Sequence, residues 1–500
     1  MPSQGGSAES ATVQREQPWL DRPAQVLVAT IIALGLARVV LAASIGLTDD
    51  EAYYRLWALA PALSYLDHPP MVAWMIAAGR WIAGDTPLGI RLCAVLTSLL
   101  GPFILWRSAH ILFGSAVARR AVWIALAMPL LAVGGVIITP DTASVLFWGL
   151  AAWALAELLT SRNANWWLAI GLFAGLGLLS KYTNLFVGAG IVLWLAWGPG
   201  NLRWLKSWQL WAGGVIASLL TLPVVVWNAQ HEWASFAKQI GRAARGQGWT
   251  LIYLAELIGG FVGLASPLIA VLALVGLRRA VPMAVRDRDQ PYILLVAGLA
   301  PLLAYFLVHA LHSRVQANWV APLYPTFAVC AAIATSTGAA VWLRQVAAWA
   351  IPVGFLFSAL IYAHALHPLR MTQFSKDPSA QMHGWAQFAT EVDAIRRAHS
   401  ACWIATSSYA TTGQLAYYLR GQVPVVQLDE PLRYVHLPPL DARIKACPAI
   451  YVELERRHEP ELLSERFLSV KALGTQDRKY AGGLPLARYV IFLLADPRPN

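Results

Sequence analysis

Apolar segments long enough to cross a bilayer recur along almost three quarters of this 500-residue chain, and that repetition limits its fold more than any single motif. Spanning the hydrocarbon as a helix takes roughly 20 apolar residues. Runs of about that length lie near 24–46, 88–107, 120–138, 142–160, 165–180, 183–199, 209–227, 251–276, 291–310, 317–336 and 345–365. The shorter stretch 69–84, with Trp74 and Trp81 near its ends, reads as a helix lying in the membrane interface. With 57% hydrophobic and 13% charged residues, a soluble globule is excluded. The sequence predicts a polytopic α-helical membrane protein. Residues 1–20, rich in Ser, Gly, Gln and Glu, are expected to be a disordered cytoplasmic terminus. Arg38 interrupts the first apolar region, so Ala42-Ala43-Ser44 reads as part of an uncleaved span and not as a cleavage site.

The net charge of +11 does not signal nucleic-acid binding, because the basic residues fall in short connections and form no basic patch. With a cytoplasmic N-terminus, Arg107, Arg119, Arg120, Arg162, Arg203, Lys206, Arg278, Arg279, Arg286, Arg288 and Arg344 lie on the inner side, as the positive-inside rule requires. The opposite connections then carry Asp49-Asp50-Glu51, Asp67-His68, Thr139-Pro140-Asp141, Ser180-Lys181-Tyr182, Trp227-Asn228 with His231-Glu232-Trp233, and His312 to Trp319. Every motif-like polar group falls on one face. Three consecutive carboxylates beside hydrocarbon are costly, so they are expected to face a wet cavity and do chemistry there.

After about residue 366 the composition becomes mixed. Helical periodicity over 384–399 and strand patterns at Cys402–Thr406, Ala449–Glu453 and Arg488–Leu494 predict a small extracytoplasmic α/β domain over 366–500, following a membrane domain over 21–365. Cys93 and Cys330 fall in predicted spans as packing residues. Cys402 and Cys447 each precede a predicted strand, where either free thiols or a disulfide fit. No spacing resembles a metal site, and neither a metal nor a cofactor is expected.

The series Asp49-Asp50-Glu51-Ala52-Tyr53-Tyr54, Asp67-His68-Pro69-Pro70-Met71, Thr139-Pro140-Asp141-Thr142, Leu179-Ser180-Lys181-Tyr182 and Asn318-Trp319-Val320-Ala321-Pro322-Leu323-Tyr324-Pro325 resembles the bacterial family 39 glycosyltransferases. These share the membrane-embedded C-type glycosyltransferase fold with protein O-mannosyltransferases and lipid A aminoarabinose transferases. The resemblance covers about residues 24–365. It implies transfer of a sugar from a polyprenyl-phosphate donor to a lipid, glycan or protein hydroxyl, with inversion, at the outer face of a bacterial inner membrane, as in lipopolysaccharide and other envelope-glycan modification. It also implies that Asp50 is the catalytic base. The chemistry agrees, since an acceptor hydroxyl needs a carboxylate to take its proton and the phosphate leaving group needs cations. Lys181 and Arg314 are the candidate cations, with His68 a weaker third, because the related aminoarabinose transferases commonly have Lys before the two prolines. Glu51, Tyr54, Asp67, Asp141 and Asn318 complete the expected substrate-binding set.

Structural roles compete with several of these assignments. Asp49 and Asp141 suit helix entries, Glu51 could pair with Arg55, Lys181 and Arg314 could reach headgroups, and Tyr53 and Tyr54 could be interfacial aromatics. A transporter or flippase for a lipid-linked substrate is the rival class. It is disfavoured by the lack of an internal repeat and by charges at span ends instead of the midplane. An oligosaccharide ligase or polymerase would share the same wet outer cavity. Specificity contacts are expected in 228–250 or the C-terminal domain, where Arg242 and Arg245 would suit an anionic sugar, acceptor or lipid.

Overall fold

A computed structural model describes residues 22–244, 248–335, 340–368, 377–458 and 460–498. The expected disordered terminus 1–20, Arg245 and the side chain of Arg242 lie outside the described residues. The first helices are α1 (Arg22–Ser44), α2 (Asp49–Leu59), α3 (Met71–Ala83), α4 (Pro87–Phe113), α5 (Ser115–Ala127), α6 (Pro129–Gly134), α7 (Pro140–Ser161) and α8 (Trp166–Leu178). They are followed by α9 (Leu185–Trp197), α10 (Trp208–Gln230), α11 (Ala234–Ala244), α12 (Ile252–Ala265), α13 (Pro267–Val285), α14 (Gln290–His309), α15 (Tyr324–Ala334) and α16 (Val341–Leu366). Among the described residues, eight helical segments are long and apolar enough to span: α1, α4, α7, α10, α13, α14, Ala317–Ala334 and α16. The chain is a multi-pass membrane protein.

Three expected spans are interrupted. The run 251–276 is two helices, separated at Ser266, whose backbone is in the left-handed region at φ 77°, and restarted by Pro267. The run 120–138 breaks between α5 and α6 where Met128, before Pro129, is extended. A residue before proline is driven out of the helical region, which accounts for that break. Ala317–Leu323 is a tighter 3₁₀ turn leading into α15. Packing of α13 on α15 is close: a Cβ on Gly276 would lie 1.7 Å from the Cys330 carbonyl oxygen.

The C-terminal part contains α17 (Trp385–Ala398), β1 (Trp403–Thr406), α18 (Tyr409–Tyr418), β2 (Val425–Gln427), β3 (Ala449–Leu454), β4 (Phe467–Lys479) and β5 (Pro485–Pro497). Their order is β2-β1-β3-β5-β4, with β1 parallel to β2 and β3, and β5 antiparallel to β3 and β4. Alternation divides the strands between two cores. Ile404, Ile450, Val452 and Ile491 pack with Trp385 and Phe388 of α17, whereas Trp403, Ala405, Tyr451 and Leu494 pack with Phe467 on the other face. Cys402 and Cys447 are joined in a disulfide beside β1 and β3. The domain is docked on the membrane part through α18, which lies against α2. At their contact a Cβ on Gly413 would sit 2.8 Å from the Tyr53 amide nitrogen, so a side chain is excluded there.

Candidate active site

The first turn of α2 is built by its own sequence. Thr48 Oγ1 accepts from the Glu51 amide at 3.2 Å, while Glu51 Oε2 accepts from the Thr48 amide at 3.0 Å, a reciprocal cap. Glu51 then does more. It is fully buried and ion-paired with Arg91 of α4 at 2.6 Å, and its Oε1 accepts from the Ile138 amide at 3.0 Å. Arg91 also donates to the carbonyls of Ala42, Ile45 and Gly46. Glu51 therefore fixes α1, α2, α4 and the loop before α7 together. The expected substrate contact is replaced by a positioning role, and its partner is Arg91, because Arg55 is bound to Asp85.

Asp50 faces the other way. It is half-buried, its hydrogen-bond partner is the Tyr409 hydroxyl of α18, and no cation pairs with it among the described residues. Burial, reinforced by the neighbouring Asp49 charge, pushes its carboxyl up to about 6. Asp49 is held by Gln414 Nε2 at 3.0 Å and donates its amide to Gln381 Oε1 at 3.1 Å. Its carboxyl is also raised by burial. Tyr54 is 5% exposed and packs on Trp57, with its ring edge toward His68 at 6.2 Å.

The remaining motifs are brought to this helix by short contacts. The Met71 amide donates to the Leu179 carbonyl at 3.0 Å, which pins Asp67–Pro70 beside Lys181. Lys181 Nζ pairs with Asp141 Oδ1 at 2.6 Å, and Asn318 Nδ2 donates to Asp141 Oδ2 at 3.0 Å. Thr139 accepts from the Asp141 amide at 3.2 Å, so Asp141 both enters α7 and joins the 181 and 318 motifs. Asp67 accepts from the Tyr53 hydroxyl at 2.9 Å and pairs with Lys238 Nζ at 2.9 Å and with Arg433. Burial would raise the Asp67 carboxyl, but the Arg433 and Lys238 charges outweigh it and hold the group below its ordinary range.

Arg314 is the exception. Its side chain is 73% exposed and pairs with Glu256 at 2.8 Å, so this candidate cation lies outside the network that holds Lys181. The cations that meet Asp67 are Lys238 of α11 and Arg433 of the C-terminal domain. Neither stands in a motif. The only sequence signal for them was regional, the expectation of specificity contacts in 228–250 and in the tail. Arg433 also lies over the Tyr409 and Tyr53 rings at 5.4 and 5.7 Å from their centroids, joining tail to first loop.

Below the network lies a cavity of about 440 Å³ between α4, α7, α9, α14 and α15. Its walls include Leu105, Leu146, Ile191, Leu294 and Val329, and its polar lining includes Arg38, Thr139, Asp141 and Asn318. It is a long apolar chamber with a charged and polar lip, shaped for an amphiphile.

This architecture, a helical membrane body with an acidic first loop capped by an α/β tail, is similar to that of solved membrane-protein structures. ArnT from Cupriavidus metallidurans in the apo state superposes over 95% of this chain and 100% of its own, with TM-score 0.62 and 18% identity. The same protein bound to undecaprenyl phosphate gives TM-score 0.60 and 17% identity over the same shares. The fold is thus the C-type glycosyltransferase fold expected from the motifs. The sequence profile of the dolichyl-phosphate-mannose-protein mannosyltransferase family matches residues 67–227. The lipid A galacturonosyltransferase RgtD of Rhizobium johnstonii is 26% identical over 55% of this chain and 58% of its own length. The undecaprenyl phosphate-alpha-4-amino-4-deoxy-L-arabinose arabinosyl transferase of Edwardsiella ictaluri is 28% identical over 34% of this chain and 32% of its own. The matched stretches therefore span less than two thirds of those relatives. Over those stretches the chain is similar to protein-mannosyltransferase-like membrane glycosyltransferases.

Proposed function

We propose that this protein transfers a sugar from a polyprenyl-phosphate donor to an acceptor hydroxyl at the periplasmic face of a bacterial inner membrane, with inversion and with Asp50 as general base. The observation that carries the reading is the state of Asp50: half-buried, bound to Tyr409, unpaired with any cation among the described residues, and with a carboxyl near 6. Such a group is ionised at neutral pH yet basic enough to take a proton. The acceptor oxygen attacks the anomeric carbon as its proton passes to Asp50. The anomeric carbon–oxygen bond breaks, and polyprenyl phosphate leaves with the electron pair.

The apolar chamber suits the polyprenyl chain, and its polar lip suits the phosphate end. Lys181 is a candidate phosphate cation that would exchange Asp141 for the donor. Lys238, Arg433 and His68 border Asp67, while Arg314 is left out of the clamp. A named undecaprenyl-phosphate enzyme among the relatives and an undecaprenyl phosphate complex of the same fold support this donor class. The lipid A galacturonosyltransferase supports an envelope-lipid acceptor. The disulfide of the C-terminal domain fits an oxidising compartment.

The deciding experiment is turnover by protein purified into lipid, with a panel of polyprenyl-phosphate sugars, a membrane extract as acceptor, and Asp50→Asn alongside. Wild-type transfer lost in the folded variant supports the reading. Equal transfer by both removes Asp50 as base, and no transfer by wild type across a complete donor panel favours a lipid-linked transporter.

A further inference from the structure

The short link between α3 and α4 stands where the chain enters the membrane. α3 ends at Ala83 and the spanning helix α4 starts at Pro87, so Asp85 between them lies at the level of the bilayer surface, on the side of the C-terminal domain. Three arginines from three parts of the chain converge on it. Arg55 of α2 donates from Nε to both Asp85 oxygens at 2.9 and 3.1 Å, and Arg80 of α3 donates from Nε to Oδ1 at 2.8 Å. Arg420, just after α18, faces Oδ2 from 3.9 Å. Among the described residues these three arginines pair with no other acid. One carboxylate answers three guanidinium groups, and the cluster keeps an excess of positive charge.

Not all of its donors are engaged. Arg55 is buried, and its remaining nitrogen donates to the Ala416 carbonyl at 3.5 Å. Arg80 Nη1 donates to the Ala58 carbonyl at 3.2 Å and Arg420 Nη1 to the Tyr417 carbonyl at 2.8 Å, but the Nη2 groups of Arg80 and Arg420 meet no acceptor among the described residues. Both side chains reach the surface, and that of Arg420 is 44% exposed. The surface beside them is apolar. Directly after Arg80, Trp81 is 88% and Ile82 63% exposed, and Leu59, next to the Ala58 carbonyl, is exposed as well. An indole and two aliphatic side chains left open at this level fit the headgroup and acyl boundary better than water. Guanidinium groups with spare donors at that boundary suit phosphate oxygens. Phosphate above and acyl chains below is the chemistry of a phospholipid, and the excess positive charge favours one whose headgroup is anionic overall.

We infer that Arg80 and Arg420, backed by Arg55, seat the headgroup of an anionic phospholipid of this leaflet, with its acyl chains along Leu59, Trp81 and Ile82. Such a lipid touches α3 and the end of α18 at once. Arg420 lies over the Tyr417 ring at 4.5 Å from its centroid and Arg55 over the same ring at 5.3 Å, so the headgroup closes the seam where α18 rests on α2. The lipid here is neither donor nor acceptor. It makes the seating of the C-terminal domain depend on the surrounding membrane.

The test is hydrogen exchange of the amides of 415–422 in full-length protein, in nanodiscs of phosphatidylcholine alone and of phosphatidylcholine with phosphatidylglycerol. Phosphatidylglycerol is expected to slow exchange there by about fivefold or more, the worth of one arginine at an anionic surface. Arg420→Ala and, separately, Trp81→Ser each remove an exposed side chain and are expected to abolish the slowing while melting like wild type in phosphatidylcholine alone. Arg314→Ala, which removes an exposed cation elsewhere, is expected to keep it. Soluble glycerol phosphate added to phosphatidylcholine discs is expected to have no effect. No slowing by phosphatidylglycerol, slowing that survives in either variant, or slowing that Arg314→Ala also removes overturns the inference. Equal slowing by glycerol phosphate overturns the lipid assignment and leaves a site for free phosphate.

Discussion

The two sides of the first turn of α2 carry adjacent carboxylates with opposite fates. On the lower side Glu51 is dry, with both oxygens engaged by Arg91 and backbone amides. On the upper side Asp50 has a tyrosine hydroxyl and two acidic neighbours, and its proton affinity rises. The Glu51 side holds α1, α2, α4 and the loop before α7 in register, and that rigidity is what keeps Asp50 in an environment it would otherwise relax away from. A run of acids is therefore not one functional unit. Its members divide according to whether a buried cation faces them.

That division can be broken most decisively at Asp50. Asp50→Asn should lower transfer by about 10²- to 10⁴-fold, the usual worth of a general base, without loss of folded protein. The sign of the stability change follows from the raised carboxyl. Above about pH 6 the folded state carries a charge that the unfolded chain holds more easily, so wild type loses stability from this group as pH rises from about 4 to 6. The Asn variant escapes that loss, so thermal melts should show it more stable at pH 8 and unchanged at pH 4.

Next in size, Glu51→Gln or Arg91→Met should cost about 3–5 kcal/mol by leaving one member of a buried pair uncompensated. Melting in detergent should show this as early unfolding. A Glu51→Gln protein that melts like wild type and shows only a raised donor KM would return Glu51 to the substrate-binding set. Removing the disulfide with Cys402→Ser should cost about 2–4 kcal/mol, read as earlier loss of Tyr409 and Gln414 protection in hydrogen exchange. A finer test is the pH profile. kcat/KM should rise tenfold per unit below an inflection near 6 and level off above it, because the base must be ionised. Tyr409→Phe removes a hydrogen bond that favours the ion and should move that inflection upward. The smallest effect belongs to Arg314→Ala, which should leave transfer within about twofold and stability within about 1 kcal/mol, as for other exposed ion pairs.

The sequence exposed the site wherever its residues interrupt an apolar run. Asp67, Asp141, Lys181 and Asn318 stand at span ends, so their common face could be inferred from span counting, and direct contacts join the last three. Arg91 lies inside α4, where a single charge among apolar residues carried no indication of its partner 40 positions earlier. Lys238 and Arg433 meet Asp67 from segments without any motif, and only tertiary packing brings them there. The fold shows the same limit. Pro267 and Pro129 marked the two helix breaks in plain view, but hydropathy alone ran across both. In the tail, β1, β3 and β5 were legible from their apolar alternation. β4 was not, because nearly all its residues between Phe467 and Arg478 are exposed or half-buried.

The contact at Gly413 has a consequence for how this molecule can be taken apart. Because α18 touches the backbone of α2 where no side chain fits, and Gln414 and Gln381 complete the bonds of Asp49, the C-terminal domain is the roof over the acidic first loop and not an appendage. A chimera joined at residue 366 with the tail of another protein would have an intact bundle under a mismatched roof. Exchangeable units in this architecture are therefore pairs, the first loop together with the domain that covers it.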